Sequence, residues 1–175
     1  MNKNNYAFID AQNLYLATTR AQDPWTIDLK RFRLYLEQKH HVRKAFYFFG
    51  AYDEHYGDMY RKIENYGYTL IFREHSNKLS GKKKGNVDVD IVFSVMKKLY
   101  KQEQFGNVIL VSGDGDYKRM VDFLIEEYRF EKLLMPNRQF GSSLYKRLTW
   151  KYVDYLDRDD MREKLKLDKK AGRES

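Results

Sequence analysis

Two apolar runs of the sequence end in carboxylates, and their arrangement favours metal chemistry. Asp10 closes the run YAFID, which begins at Tyr6, and Asp114 follows the run VILVSG. If the two runs are neighbouring strands of a parallel sheet, both carboxylates emerge at the carboxyl edge, where such sheets bind ligands. Carboxylates that meet there repel one another, and a divalent cation such as Mg²⁺ reverses this effect because it prefers oxygen ligands. Such a site can activate water for attack on a phosphodiester.

Asp116 lies two residues after Asp114, at the start of a helix predicted over Asp116 to Tyr128. An acid in the first turn of a helix is also favoured by the helix dipole. An aspartate beside glycines, such as Asp114, is common in turns. Metal ligation and a local structural role are therefore both open for these two residues.

Asp88 is a further candidate because of its position on a helix predicted over Asn86 to Tyr100. Projected at about 100° per residue, this helix places Asp88 near the centre of its apolar face and Asp90 towards solvent. A carboxylate on a buried face is costly unless it has a partner. We therefore expect Asp88 to be a ligand of the same site, with a helix cap or a buried ion pair as the alternatives.

The apolar runs alternate with amphipathic segments along the chain. Runs that are apolar throughout are typical of strands buried on both faces of a parallel sheet. We predict an α/β fold, a three-layer sandwich around a central, mainly parallel sheet, with strands at 6–10, 42–49, 68–72, 108–111 and 130–135 and helices at 26–38, 52–66, 86–100 and 116–128. One domain is expected over residues 1–158, followed by a charged C-terminal helix or tail at 159–175 whose last residues are disordered.

The composition narrows the class of partner and of metal site. Lysine and arginine number 33 against 25 acidic residues, which gives a net charge of +8 and favours a polyanion such as nucleic acid. The sequence has no cysteine, which excludes disulfides and thiolate metal sites, and its four histidines lie away from the acidic motifs. No apolar run is long enough for a membrane span, and the polar start is unlike a secretory signal. We expect a cytoplasmic protein without a membrane partner.

Three motifs resemble the NYN-domain family, its LabA-like branch in particular, which belongs to the PIN-like nuclease superfamily. They are FIDAQNL (Phe8 to Leu14), KGNVDVDIV (Lys84 to Val92) and LVSGDGDY (Leu110 to Tyr117). The resemblance implies a PIN-like fold and an endoribonuclease that uses Mg²⁺ or Mn²⁺ to cleave single-stranded RNA. It assigns catalysis and metal binding to Asp10, Asp88, Asp114 and Asp116. Asn13 matches a family position that holds a water or a phosphate.

One position departs from the family pattern. Many relatives carry a further aspartate six residues after the position of Asp88, and this chain has Ser94 there. Asp90 is the nearby acid that this chain offers instead, and we rank it below the four main acids. The departure puts a second tightly held metal in doubt.

Substrate contacts are expected from a lysine-rich segment and from two motif residues. Lys82, Lys83 and Lys84 precede the helix that carries Asp88, and flexible lysines suit phosphate contacts that carry little sequence information. Asn13 and Ser112 are the other predicted contacts with substrate. The alternative function is a non-catalytic RNA- or protein-binding module with the same fold. A homo-oligomer is compatible with either function.

Overall fold

A central parallel sheet organises the chain. The structure, a computed structural model, describes residues 4–74 and 87–168. In these residues six strands pair in the order β3-β2-β1-β4-β5-β6, and every pair is parallel. The strands are β1 (Asn5–Asp10), β2 (Val42–Phe49), β3 (Tyr68–Phe72), β4 (Val108–Val111), β5 (Phe130–Met135) and β6 (Val153–Tyr155).

Helices cover both faces of the sheet. They are α1 (Ala11–Thr19), α2 (Leu29–His40), α3 (Gly57–Asn65), α4 (Val87–Tyr100), α5 (Lys118–Glu126) and α6 (Asp159–Leu165). Alternate residues of β1 enter two separate apolar cores: Ala7 and Ile9 pack with α1, α2, α3 and α6, whereas Tyr6 and Phe8 pack with α4 and α5. The predicted three-layer α/β sandwich is therefore confirmed. None of the helices formed by the described residues is long and apolar enough to cross a membrane.

The strand order reverses between β1 and β4, and this reversal creates a crevice. From β1 the chain builds outwards through β2 and β3, and it then returns to pair β4 on the other side of β1, with Ile9 opposite Val111. Helices that leave the two strands on opposite faces open a gap at their carboxyl ends, which is where α/β sheets bind ligands. Asp10 lies at this edge, as the sequence predicts.

Capping residues set the ends of two helices. The side chain of Asp28 accepts hydrogen bonds from the amides of Lys30 and Arg31 at 2.9 and 3.1 Å, so α2 begins at Leu29, later than predicted. Gly67 has a φ of 92°, a conformation that glycine adopts without strain, and it follows α3 as predicted.

The sequence did not predict α1 or β6. Asp10, expected to end a strand, also caps α1, so the helix starts without an intervening loop. The strand β6 has only three residues, too few to show a periodic pattern.

The segment after residue 158 contains a helix that packs against the domain. In α6, Met161 and Leu165 are buried in the core shared with α2. Arg162 pairs with Asp23 at 2.7 Å, and the amide of Leu167 donates to the carbonyl of Thr26. Residues 169–175 lie outside the described part of the chain.

Candidate active site at the carboxyl edge of the sheet

A cleft of about 650 Å³ opens where β1 and β4 end. Acidic, basic, polar and apolar side chains meet on its walls, which suits a ligand that carries both charge and an apolar surface. The lining residues are Asp10, Gln12, Asn13, Leu16, Ala17, Arg20, Asp114 and Phe140.

Asp10 is a nearly buried carboxylate, with 8% of its surface exposed. One oxygen accepts a hydrogen bond from the amide of Asn13 and the other from the hydroxyl of Tyr117, each at 3.0 Å. Burial raises the pKa of Asp10, the two hydrogen bonds oppose this shift, and the negative charges of Asp114 and Asp88 add to it. The ionised form of Asp10 is therefore held in place but lacks a compensating positive charge among these groups.

Tyr117 fixes the orientation of the Asp10 carboxylate from the buried side of the site. Its ring is fully buried between the sheet and α5, and its hydroxyl donates to Asp10. Burial and the charge of Asp10 both raise the pKa of Tyr117, so the hydroxyl stays protonated and remains a donor. Sequence reasoning gave no role to Tyr117, the last residue of LVSGDGDY, although its place directly after Asp116 was a usable signal.

Asp114 is held by a network of backbone hydrogen bonds. It caps a short 3₁₀ helix (Gly115–Tyr117) by accepting from the amide of Asp116 at 3.0 Å. Its own amide donates to the hydroxyl of Ser112 at 3.1 Å, and its carbonyl accepts from the hydroxyl of Tyr145 at 2.5 Å. Ser112 is fully buried, so its described contact shapes this turn and holds Asp114.

Asn13 connects the two strand ends that carry Asp10 and Asp114. The side-chain oxygen of Asn13 accepts a hydrogen bond from the backbone amide of Gly113 at 2.8 Å, while the backbone amide of Asn13 donates to the carboxylate of Asp10. Asn13 therefore bridges the start of α1 and the turn after β4, and it also lines the cleft.

Asp88 faces this site from α4, but it is less buried than predicted. Val87, Ile91 and Val95 occupy the centre of the buried face, which leaves Asp88 half-buried at the margin of that face. Its charge nevertheless raises the pKa of both Asp10 and Tyr117.

Neither Asp90 nor Asp116 is among the charges that shift the pKa of Asp10. Asp90 was predicted to point towards solvent, away from the site, and it is half-buried in the structure. Asp116 is exposed, and its backbone amide donates to the carboxylate of Asp114 at 3.0 Å, so it stands beside the site and its role as a metal ligand stays a prediction. Asp10, Asp114 and Asp88 are thus the electrostatically linked acids.

The predicted lysine contacts cannot be placed, because Lys82, Lys83 and Lys84 lie outside the described residues. Among the described residues that line the cleft, Arg20 carries the positive charge. Phe140 also lines the cleft, and it is 49% exposed. Sequence reasoning missed both residues, since each stands outside the acidic motifs.

Gly141 allows the segment that carries Phe140 to approach the site closely. A Cβ atom on Gly141 would fall 2.0 Å from the sulfur of Met135. The amide of Ser142 donates to the carbonyl of Gly113 at 2.9 Å. The wall that carries Phe140 is therefore tied directly to the turn before Asp114.

The donor set has the chemistry that a hard cation requires. Asp10 and Asp114 offer carboxylate oxygens to one cleft. Within residues 4–74 and 87–168, no three carboxylate or imidazole side chains stand close enough together to form a complete cage around an ion. Mg²⁺ commonly takes one or two carboxylates and completes its shell with water and substrate phosphates, so these two acids fit it.

Known proteins share this sequence pattern and this fold. Residues 6–154 match the NYN domain family. The Low amplitude and bright protein LabA from Synechococcus elongatus is 24% identical over 159 residues, which cover 86% of this chain and 82% of that protein. The crystal structure of a protein of unknown function from Vibrio parahaemolyticus has a TM-score of 0.75 and 21% identity, over 95% of this chain and 98% of its own. Because the family match spans most of the sequence, the chain belongs to the NYN domain family of the PIN-like nuclease superfamily.

Proposed function

We propose that this protein is a divalent-metal-dependent endoribonuclease that hydrolyses phosphodiester bonds in single-stranded RNA. The observation that carries the proposal is the environment of Asp10. A nearly buried carboxylate stands close enough to Asp114 and Asp88 for their charges to raise its pKa. Such an arrangement is unfavourable without a cation and favourable with one. Membership of a superfamily of nucleases supports the same reaction class.

Asp10 and Asp114 would hold the metal, with Asp88 and Asp116 completing the shell directly or through water. Mg²⁺ or Mn²⁺ would supply the positive charge that activates water and stabilises the phosphodiester under attack. Asn13 and Tyr117 keep the carboxylate of Asp10 aimed at the cleft through their hydrogen bonds. Partners of this kind set the orientation and basicity of metal ligands.

The opposite wall of the cleft suits an unpaired nucleotide. Phe140 offers an exposed aromatic ring, on which an unstacked base could lie, and Arg20 offers a guanidinium group for a phosphate. The net charge of +8 would draw a polyanion to the protein. Lys82, Lys83 and Lys84 remain proposed phosphate contacts, and Asn13 a proposed contact of the reacting phosphate.

Cleavage of a labelled single-stranded RNA tests the proposal. The wild type should cut the RNA with Mg²⁺ or Mn²⁺ and spare it in EDTA. Asp10→Asn should abolish cleavage because it removes the charge at the centre of the site. Asp58→Asn is the matched control, since Asp58 is exposed on α3, where it pairs with Arg61. Full activity of Asp10→Asn would remove Asp10 from the mechanism.

RNA binding separates the nuclease from a binding module of the same fold. Asp10→Asn should still bind RNA in the presence of metal, because Arg20, Phe140 and the net positive charge are intact. If wild-type protein binds RNA with metal present and leaves it uncut, the chain is a non-catalytic binding module.

A further inference from the structure

The outer face of α4 is apolar, although nothing in the described chain covers it. Val89, Phe93, Met96 and Tyr100 are 60%, 63%, 37% and 89% exposed. They follow one another at intervals of four, three and four residues, so they form one stripe along the helix. The opposite face of α4 packs into the core. Helices that are apolar on both faces are normally buried on both faces.

The stripe is large for a surface that remains in water. Phe93 and Tyr100 together expose about 300 Å², a value that combines their exposed fractions of 63% and 89% with the area of about 150–250 Å² of a whole aromatic residue. That area is already similar to the largest apolar patch of a typical monomer, and such patches often mark interaction sites.

Charged residues along one flank of the stripe identify the kind of partner. At about 100° per residue, Asp90, Lys97 and Lys101 lie on the same side of the stripe. Asp90 stands in the first turn of α4, Lys97 in its last turn, and Lys101 directly after the helix. Within the described chain none of the three has an ion-pair partner, and the ammonium group of Lys97 rests over the ring of Phe93 at 5.7 Å.

We propose that this stripe binds the same stripe of a second copy of the chain, with the two α4 helices antiparallel. In a two-fold arrangement each patch meets itself, so Val89 faces Tyr100 and Phe93 faces Met96 across the axis. The same flank of both helices then meets with its direction reversed. Asp90 of each copy comes level with the turn between Lys97 and Lys101 of the other.

A parallel two-fold arrangement would place the charged flanks of the two copies on opposite sides of the interface, where Asp90 meets neither Lys97 nor Lys101 of the other copy, and it is therefore disfavoured. In the antiparallel arrangement, Asp90 of each copy pairs with the lysines of the other, so that ion pairs flank an apolar centre on both ends, as in many protein interfaces. A stable interface buries about 800 Å² on each partner. The stripe supplies less than that, so we expect a dissociation constant on the order of micromolar. This inference goes beyond the proposed function and does not depend on it.

Sedimentation equilibrium over a range of concentrations tests self-association. The mass should rise from 21.2 kDa at low concentration towards twice that value. Phe93→Glu should raise the dissociation constant at least about 30-fold, because a central aromatic residue is lost twice in a symmetric dimer. Phe123→Glu is the matched control, since Phe123 is 39% exposed on the neighbouring helix α5 and should have little effect.

Disulfide cross-linking tests the direction of packing. The sequence has no cysteine, so Val89→Cys and Tyr100→Cys each introduce the only thiol of the chain. In an antiparallel pair, identical positions lie about 16 Å apart along the axis, which is too far for a disulfide, whereas positions 89 and 100 face each other. A mixture of the two variants should therefore cross-link much faster than either variant alone.

Two results would overturn the proposal. A wild-type protein that stays at 21.2 kDa up to millimolar concentration has no self-associating stripe. Faster cross-linking of Val89→Cys with itself than with Tyr100→Cys would exclude the antiparallel dimer. Thermal melting of each variant checks the fold, and the cross-linking result stands even if Phe93→Glu is unstable.

Discussion

Replacing Tyr117 with Phe isolates the contribution of one hydroxyl to the site. The substitution keeps the buried ring and removes the donor that lies 3.0 Å from Asp10. Of its two donors among the described residues, Asp10 then keeps the backbone amide of Asn13. A hydrogen bond to a charged group contributes about 1.5–3 kcal/mol, which corresponds to about 10–100-fold in an equilibrium constant. Loss of a group that orients a metal ligand has an effect of the same size.

We therefore expect Tyr117→Phe to raise the Mg²⁺ concentration for half-maximal RNA cleavage by about 10–100-fold. The assay is the initial rate of cleavage of a single-stranded RNA over a Mg²⁺ titration. Tyr68→Phe is the matched control: Tyr68 is also a buried tyrosine, but its hydroxyl donates to the backbone carbonyl of Leu29 at the opposite edge of the sheet. It should change the Mg²⁺ requirement by less than about threefold, since no ligand charge loses a partner.

An unchanged Mg²⁺ requirement in Tyr117→Phe would refute this reasoning. It would mean that the orientation of Asp10 does not limit metal binding. An equal shift in both variants would point to general disturbance of the core, and their melting temperatures would reveal it.

Three further predictions address other parts of the molecule. Without metal, Asp88→Asn should melt no lower than the wild type, because the substitution removes a charge that repels Asp10. When Mg²⁺ reaches ten times its dissociation constant, the unfolding free energy of the wild type should rise by about 1.4 kcal/mol, and its melting temperature by about 3–6 °C. An equal rise in Asp88→Asn would exclude Asp88 as a ligand. Burial, assisted by the charge of Lys132, lowers the pKa of His40 to about 4, so the unfolded chain takes up this proton first as the pH falls. The unfolding free energy should then drop by about 2–3 kcal/mol between pH 7 and 4.5 in urea denaturation, and His40→Gln should lose most of this drop. Changing Lys82, Lys83 and Lys84 together to Gln should weaken RNA binding and flatten the slope of log affinity against log salt by about two units, whereas an unchanged slope would show that these lysines do not contact phosphates.

The strands and the two strand-end acids could be predicted because their signals are local. Both strands are buried along their whole length, and they are apolar apart from Asn5 and Asp10 at the ends of β1, because they lie in the middle of the sheet and are covered on both faces. Once these strands are known to be parallel neighbours, Asp10 and Asp114 must emerge at one edge. The register of β1 with β4 agrees with this inference.

The remainder of the site depends on contacts that no local pattern encodes. The hydrogen bond between Tyr117 and Asp10 joins residues 107 positions apart, and Asn13 meets Gly113 across 100 positions. Phe140 reaches the cleft because Gly141 and Ser142 let its segment pack against β5 and the turn after β4. The projection of α4 indicated the side on which Asp88 lies, but it could not give its depth, which Ile91 and Val95 determine by filling the core.

The pairing of β1 with β4 also has a consequence for the order of folding. The first three strands and their helices need only residues up to Phe72, whereas β4 begins at Val108. During synthesis, Asp10 can therefore form its hydrogen bond with Tyr117 only after more than a hundred further residues have been made. Contacts of such long range form late because the intervening chain must first lose its conformational freedom. In a nascent chain Asp10 and Asp114 are thus apart, and the proposed metal site is assembled only when the second half of the sheet docks onto the first.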